Sequence, residues 1–324
     1  MLNYPIRFQP ILQEKLWGGE KLKTLFNKKS TSSNIGESWE ISGVKDFVSV
    51  VVNGSLSGNS LTELITKYKN QLVGTSVYQK FGTNFPLLIK FIDAKIPLSV
   101  QVHPNDQLAQ ERHKSLGKTE MWYIMQADKD AELNIGFKES ISEEEYLNAL
   151  ESGKLTALLN FEKVEQGDSI FLNAGKVHSI GGGIVLAEIQ QTSDITYRIY
   201  DWDRVDANGN PRELHTESAV EAIDFEKKSD YRLESSKKSN TSNLLKQCPY
   251  FTTNLLPVNG HLEKDYTDID SFVIFMCVSG RAQIAIDGNS ETLNTGETLL
   301  IPATQNNVHI DSLGGELLEI YVEA

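Results

Sequence analysis

Two cysteines in 324 residues, Cys248 and Cys277, allow at most one disulfide and cannot supply a paired-thiolate metal site. Both read as plain buried or half-buried thiols. Cations are also in short supply: 31 Lys and Arg face 44 Asp and Glu, for a net charge of -13. That argues against a nucleic-acid partner, because phosphate backbones are neutralised by clustered Lys and Arg. A small phosphorylated substrate, which needs only a few local cations, stays open. The longest apolar run, Phe272 to Val278, is far too short to cross a bilayer. Met1 to Arg7 lacks the apolar core of a signal peptide. The expectation is a cytoplasmic, globular protein with no membrane partner. No Gly-x-Ser-x-Gly or Gly-x-Gly-x-x-Gly occurs, so neither a serine hydrolase nor a dinucleotide enzyme is indicated. Gly117-Lys118-Thr119 resembles the end of a phosphate-binding loop, but Arg112 stands where its first glycine belongs.

Most of the chain consists of short β segments punctuated by Gly, Asn and Pro, among them Val48 to Val52, Leu87 to Ile92, Ser169 to Leu172 and Ala282 to Ile286. Three stretches carry helical patterns: Leu61 to Leu72, Asp106 to Leu116, and Ser142 to Phe161. The last opens with a capping box, Ser142 and Glu145, and Gly153 marks a break between two helices. The polar stretch Glu226 to Asn243, with its two Lys-Lys pairs, reads as a solvated connector. The expected organisation is therefore a first domain over 1–235, with a helical segment at about 142–161, and a second over 244–324.

Two strand-like runs end on a histidine: Leu98 to His103, followed by Pro104, and Ser169 to Leu172, followed by a turn to His178. Between them Glu120 directly precedes the apolar-aromatic run Met121 to Met125. Two imidazoles, a carboxylate and an amide oxygen make a three- or four-ligand set suited to zinc or a similar divalent cation. Residues two apart on a strand share a face, so Ser99, Gln101 and His103 point one way, and Lys118 and Glu120 do likewise. The other histidines, His113, His215, His261 and His309, read as surface or satisfied residues. Gly296 to Thr304 repeats the beat of Gly167 to Gly175, but Asn307 takes the place corresponding to His178. The second unit thus reads as a barrel of the same kind without metal ligands.

Gly167-x5-Asn173-x-Gly175-x2-His178 is similar to the second motif of the cupin barrels, with Asn173 in the proline position. A fuller ordered set is more specific: Trp17-Gly18-Gly19, Gly36 to Gly43, Pro86 to Lys90, Leu98 to Pro104, Lys118 to Tyr123, and Ala187 to Gln190. From about Pro10 onward the chain resembles the class I, zinc-dependent mannose-6-phosphate isomerases in their short bacterial form. The resemblance implies a mainly β fold of two cupin (jelly-roll-like) barrels, the first carrying a small helical insertion. It implies one zinc ion per chain held by His103, Glu120 and His178, with Gln101 as fourth ligand. Arg198 falls at the family's active-site arginine, and Lys118 is implied at the site.

The reaction implied is interconversion of mannose 6-phosphate and fructose 6-phosphate. It moves a proton between C2 and C1 and needs a base and a stabiliser for an enediolate. Arg198 and Lys118 stay cationic enough to hold a phosphate or the enediolate oxygen. Glu188 and Lys118 compete as the proton-transfer base, the latter on the argument that burial near zinc lowers its pKa. Ser99, Lys90 and Trp17 are candidate substrate contacts, although Trp17, Trp39 and Trp122 also fit plain core packing. Two other readings are a cupin oxygenase, against which Gln101-x-His103 departs from the usual His-x-His, and a non-catalytic sugar-binding bicupin. A monomer or loose homodimer suits the composition.

Overall fold

The structure is a computed structural model and describes residues 2–206 and 208–323. The first two-thirds of the chain builds two antiparallel sheets that face each other. One has the strand order Ile11–Gly19, Ile35–Ile41, Leu87–Ala94, Ile184–Gln191, Glu120–Ala127, Ser169–Leu172 and Arg232–Leu233. The other runs Tyr197–Tyr200, Val100–Val102, His178–Ile180, Glu132–Phe137 and Leu159–Lys163. Ile92, Trp122, Ile124, Ile170 and Leu186 of the first sheet share a core with Leu133, Ile135 and Ile180 of the second. The fold is mainly β, as expected, and of cupin type. The sheets stay open at their edges, so the expected barrels are sandwiches rather than closed cylinders.

The central strands Leu87–Ala94 and Ile184–Gln191 are buried at every residue. Successive side chains on a strand point to opposite faces, and here both faces are covered. Ile89, Phe91, Ala187 and Ile189 join a core with Leu255, Ile274, Met276, Leu318 and Ile320 from the C-terminal part of the chain. The alternating partners Lys90, Ile92, Leu186 and Glu188 face inward. Strands buried on both faces read as near-continuous apolar runs; Asp93, Gln190 and Gln191 interrupt them toward the strand ends, and Lys90 and Glu188 do so mid-strand, directly opposite each other in register.

The C-terminal part is one sheet bent over its own core of Leu256, Val258, Phe275, Leu299, Val308, Ile310 and Leu317. Its spine is the ribbon of Thr252–Asp265 and Asn307–Tyr321, paired along its whole length with a bulge at Val258 and Asn259. Its buried polar centre is filled by protein. Glu319 accepts hydrogen bonds from Ser242, Asn254 and Tyr266 and pairs with Lys264 at 2.9 Å. Two further ties bind the halves together. Ile6 bridges Leu300, and the Asp270 carboxylate accepts hydrogen bonds from the backbone N–H groups of Thr75 (2.6 Å) and Ser76 (2.8 Å), which open the helix Thr75–Phe81.

Three sequence expectations change. Val48 to Val52 makes only isolated bridges, from Val51 to Phe8 and from Val50 to Ser60. Ser49 and Val51 bond to several different segments, so no single partner runs alongside. The helix over Leu61 to Leu72 breaks at Lys69, whose φ of 50° ends one helix, Leu61–Tyr68, and precedes another, Asn70–Val73. Ser142 and Glu145 do form the capping box of Glu143–Glu151, and Gly153 breaks the chain there at φ 68°. The second helix, however, is a single turn, Leu155–Leu158. Leu159–Lys163 is a strand whose Leu159, Phe161 and Glu162 pair with Phe137, Asn134 and Leu133. Leucines at helical spacing serve equally well as the buried face of an edge strand.

Candidate active site

The two facing sheets bring the motif residues to one place. Val100–Val102 lies between Tyr197–Tyr200 and His178–Ile180, so Arg198, Gln101 and His178 stand side by side across the smaller sheet. From the larger sheet, Glu120 opens the strand Glu120–Ala127, with Lys118 two residues earlier. His103, Glu120 and His178 converge with one ligand atom each, all within 4.8 Å of one another, and all three residues are buried.

Each imidazole is held by its other nitrogen. His103 Nδ1 lies 2.8 Å from the Ile195 carbonyl, and His178 Nδ1 lies 2.8 Å from the Lys176 carbonyl. A carbonyl can only accept, so each Nδ1 carries the proton and each Nε2 keeps a lone pair on the Glu120 side, where the Lys118 ammonium donates to His103 Nε2 at 3.1 Å. The Nε2 atoms stand 3.7 Å (His103) and 3.3 Å (His178) from the Glu120 carboxylate. Burial keeps both rings neutral: it lowers His178 to about 4, and burial together with Lys118 puts His103 well below its ordinary value. Gln101 Nε2 is 3.2 Å from His178 Nε2, and rotation of the amide about its last bond brings the oxygen to the same position.

Glu120 is the anomaly of this group. Both carboxylate oxygens are buried without an aligned hydrogen-bond donor, although Lys118 Nζ approaches to 2.8 Å. Burial pushes its pKa up and Lys118 offsets this only in part. A buried carboxylate is normally hydrogen-bonded or coordinated to a metal. Two neutral imidazoles presenting Nε2 and a carboxylate short of donors fit a divalent cation with borderline ligand preference.

Above this group lies a cavity of about 310 Å³, within the range of small-molecule sites, which run from roughly 300 Å³ upward. Every substrate-contact and catalytic candidate from the sequence lines it: Trp17, Lys90, Ser99, Lys118, Glu188 and Arg198, together with Gln101. Sequence reasoning missed Lys15, Glu37, Trp39, Asp194, Thr196 and Arg212. Glu37 and Trp39 lie inside the Gly36 to Gly43 motif and were open to discovery there; Arg212 sits in a loop that carries no local signal. The lining holds five cations, Lys15, Lys90, Lys118, Arg198 and Arg212, against three carboxylates, Glu37, Glu188 and Asp194. In a chain of net charge -13 this is a local reversal of sign that favours an anionic ligand.

The cations differ in how they are engaged. Arg212 is clamped by Asp201, which also binds Arg204. Arg198 pairs with no carboxylate among the described residues. Its Nη1 donates to the Glu213 carbonyl at 2.8 Å and its buried Nε has no partner. Burial, then repulsion from Arg212, lowers its pKa. Lys90 lies 5.0 Å over the Trp39 ring and 3.2 Å from Glu188 Oε2. Glu188 Oε1 accepts from Trp122 Nε1 at 2.9 Å. Burial alone would raise Glu188, but Lys118 and Lys90 prevail and hold it at about 2. Lys118 goes the other way from the sequence expectation. Burial does act to lower it, yet Glu120, Glu188 and Glu37 outweigh burial and leave it above the ordinary lysine value.

A cupin-type sandwich with a buried histidine–carboxylate–histidine group under a cationic cavity defines a candidate metal-dependent enzyme that takes a small anionic ligand. Comparison with known proteins makes the family plain. Residues 6–159 match the phosphomannose isomerase type I catalytic domain, and residues 240–322 match the mannose-6-phosphate isomerase cupin domain. The chain is similar to the mannose-6-phosphate isomerase of Streptococcus mutans, 34% identical over 95% of each chain. It is also similar to mannose-6-phosphate isomerase ManA of Bacillus subtilis, 35% identical over 93% of this chain and 94% of that one. Among solved structures, the mannose 6-phosphate isomerase from Bacillus subtilis superposes with a TM-score of 0.88 at 33% identity, covering 99% of this chain and 100% of that one. The chain belongs to the type I phosphomannose isomerases.

Proposed function

We propose that this chain interconverts mannose 6-phosphate and fructose 6-phosphate, with one zinc ion held by His103, Glu120 and His178 and with Gln101 as a fourth ligand. The observation that carries the metal is Glu120, buried between two imidazoles that offer Nε2 and short of aligned donors on both oxygens. When bound, such a cation polarises a sugar oxygen and stabilises negative charge developing on it. The rest of the chemistry falls to side chains. Arg198, with no carboxylate partner, binds the phosphate or the enediolate oxygen, while Ser99, Lys90 and Trp17 line the same cavity and position the sugar.

At neutral pH Glu188 is ionised and Lys118 protonated, so the first is poised to accept a proton and the second to donate one. Glu188 is therefore assigned as the base that takes the proton from C2 of mannose 6-phosphate and returns it at C1, while the Lys118 ammonium donates a proton to the C1 oxygen and recovers one from the C2 hydroxyl. Lys118 stabilises the enediolate oxygen rather than acting as base at carbon. The same reading divides the chain into a metal-carrying unit over 1–235 and a C-terminal unit over 244–324. It treats the enzyme as a cytoplasmic monomer or loose homodimer; no helix among the described residues is long and apolar enough to cross a membrane.

The direct test is conversion of mannose 6-phosphate by the purified protein before chelation, after chelation, and with zinc restored. Activity lost with the chelator and regained with zinc supports the proposal. Turnover indifferent to chelation in metal-free protein sinks the zinc assignment, and absence of turnover in metal-loaded protein sinks the isomerase assignment.

A further inference from the structure

Outside the cavity, the described residues hold one other group with metal-ligand geometry. It lies on the exposed face of the C-terminal ribbon. The register of Thr252–Asp265 against Asn307–Tyr321 pairs His261 with Asp311 and Glu263 with His309. Residues two apart on each strand share a face, so two imidazoles and two carboxylates form a square on one side of a two-stranded ribbon. One ligand atom each from His261, Glu263 and His309 lies within 4.8 Å of the others.

The geometry points to a second divalent-metal site, held by His261, Glu263 and His309. The fourth residue has a different task. Asp311 Oδ1 lies 2.8 Å from His261 Nδ1, so that nitrogen carries the proton and donates it. In the neutral ring Nε2 then keeps its lone pair, and it faces Glu263 Oε1 at 3.5 Å; both carboxylates raise the pKa of His261, so a cation must displace a proton there. A carboxylate that fixes the tautomer and orientation of a metal-binding imidazole is a recurrent support of such sites. From the other strand, His309 Nδ1 stands 3.6 Å from the same Glu263 oxygen. The two rings stack at 5.8 Å with planes 20° apart, so the group is already gathered.

Two imidazoles with one carboxylate select zinc, copper(II) or nickel(II) over magnesium or calcium, which prefer all-oxygen sets. Three protein ligands on an open surface leave coordination positions to water, so the site binds more weakly than a buried one. Its position suggests a structural part: it clips together two strands separated in sequence by the whole of residues 266–306.

The probe is zinc ion alone, titrated into zinc-stripped protein at neutral pH by calorimetry, with the histidine ring signals followed by NMR. Wild type is expected to bind two zinc ions per chain, one tightly and one more weakly. His309→Ala and His261→Gln, both at exposed positions, are expected to lose only the weaker ion and keep full isomerase activity. His178→Ala is expected to do the reverse, retaining the weaker ion with shifts at the His261 and His309 rings. A single equivalent in wild type that vanishes in His178→Ala would falsify the second site. So would a weaker ion that persists in the double variant of His261 and His309, or whose binding leaves those rings unmoved. Because each site is read on a variant lacking the other, failure here is distinguishable from failure of the zinc assignment at Glu120.

Discussion

Replacing Lys90 by methionine isolates the electrostatics that keep Glu188 in its working form. The ammonium lies 3.2 Å from Glu188 Oε2 in a buried setting. With an effective dielectric of about 20, Coulomb attraction at that distance is about 5 kcal/mol, equivalent to almost 4 pKa units. Water and neighbouring dipoles that relax into the space left by the ammonium make the shift fall short of that bound. Glu188, at about 2 in the intact site, is expected to move to roughly 4–5.

The sign follows from the role assigned to it. A base must be ionised, so kcat/KM falls as pH drops through its pKa in the free enzyme. In the intact protein that limb lies at about 2, below any practical assay. In Lys90→Met it enters the assay window, and kcat/KM declines with unit slope on the acid side. Trp122→Phe, which removes one hydrogen bond to the same carboxylate, should move the limb in the same direction by a smaller amount. The assay is a pH–rate profile of kcat/KM for both variants against the parent. An acid limb in Lys90→Met that coincides with the parent's, in a folded and active variant, refutes either the base assignment or the hold of Lys90 on it.

Arg198→Ala should lower kcat/KM by about 10- to 100-fold, the loss of a charge-assisted hydrogen bond to an anion, while zinc content measured by atomic absorption stays at the parent level. Lys28→Met strands the buried carboxylate of Glu40, now 2.7 Å from the ammonium. It should destabilise the protein by about 3–5 kcal/mol in urea unfolding, and a loss below 1 kcal/mol would contradict the buried-pair reading. Asp270→Ala removes the acceptor for the Thr75 and Ser76 amides and should cost about 1 kcal/mol. Burial alone would raise the Asp270 pKa, but those two donors lower it below the ordinary value. Its stabilisation is therefore present above the unfolded pKa and lost as pH falls through the depressed folded one. The stability gap between parent and variant should close in acid.

What was legible in the sequence follows how local each signal is. His103, Glu120 and His178 each sit in a short motif, and strand alternation alone put Gln101 beside His103 and Lys118 beside Glu120. Lys90 and Glu188 were visible only as members of the strings Pro86 to Lys90 and Ala187 to Gln190; that they face each other is a matter of antiparallel register, which no local pattern states. Lys118 was misjudged because burial was weighed without the three carboxylates that register and packing place around it. His261 and His309 read as separate surface residues, and Glu263 carries no signal of its own, for the same reason: the group comes from two strands paired far apart in the chain. The end of the second helix failed differently, since the leucines of 155–159 satisfy a helix and a strand equally well until Phe137 claims Leu159.

The two-sided burial of the central strands makes the active-site wall a shared partition. Phe91 and Ala187 press against the C-terminal sheet, while their chain neighbours Lys90 and Glu188 aim a cation and a carboxylate into the cavity. The second unit is thus a backing plate for the reactive groups, and its packing sets how firmly they are aimed. Trimming Ile274 or Leu318, each on the far side of that partition from any substrate, loosens the mounting of Glu188 and reaches turnover without touching a single ligand.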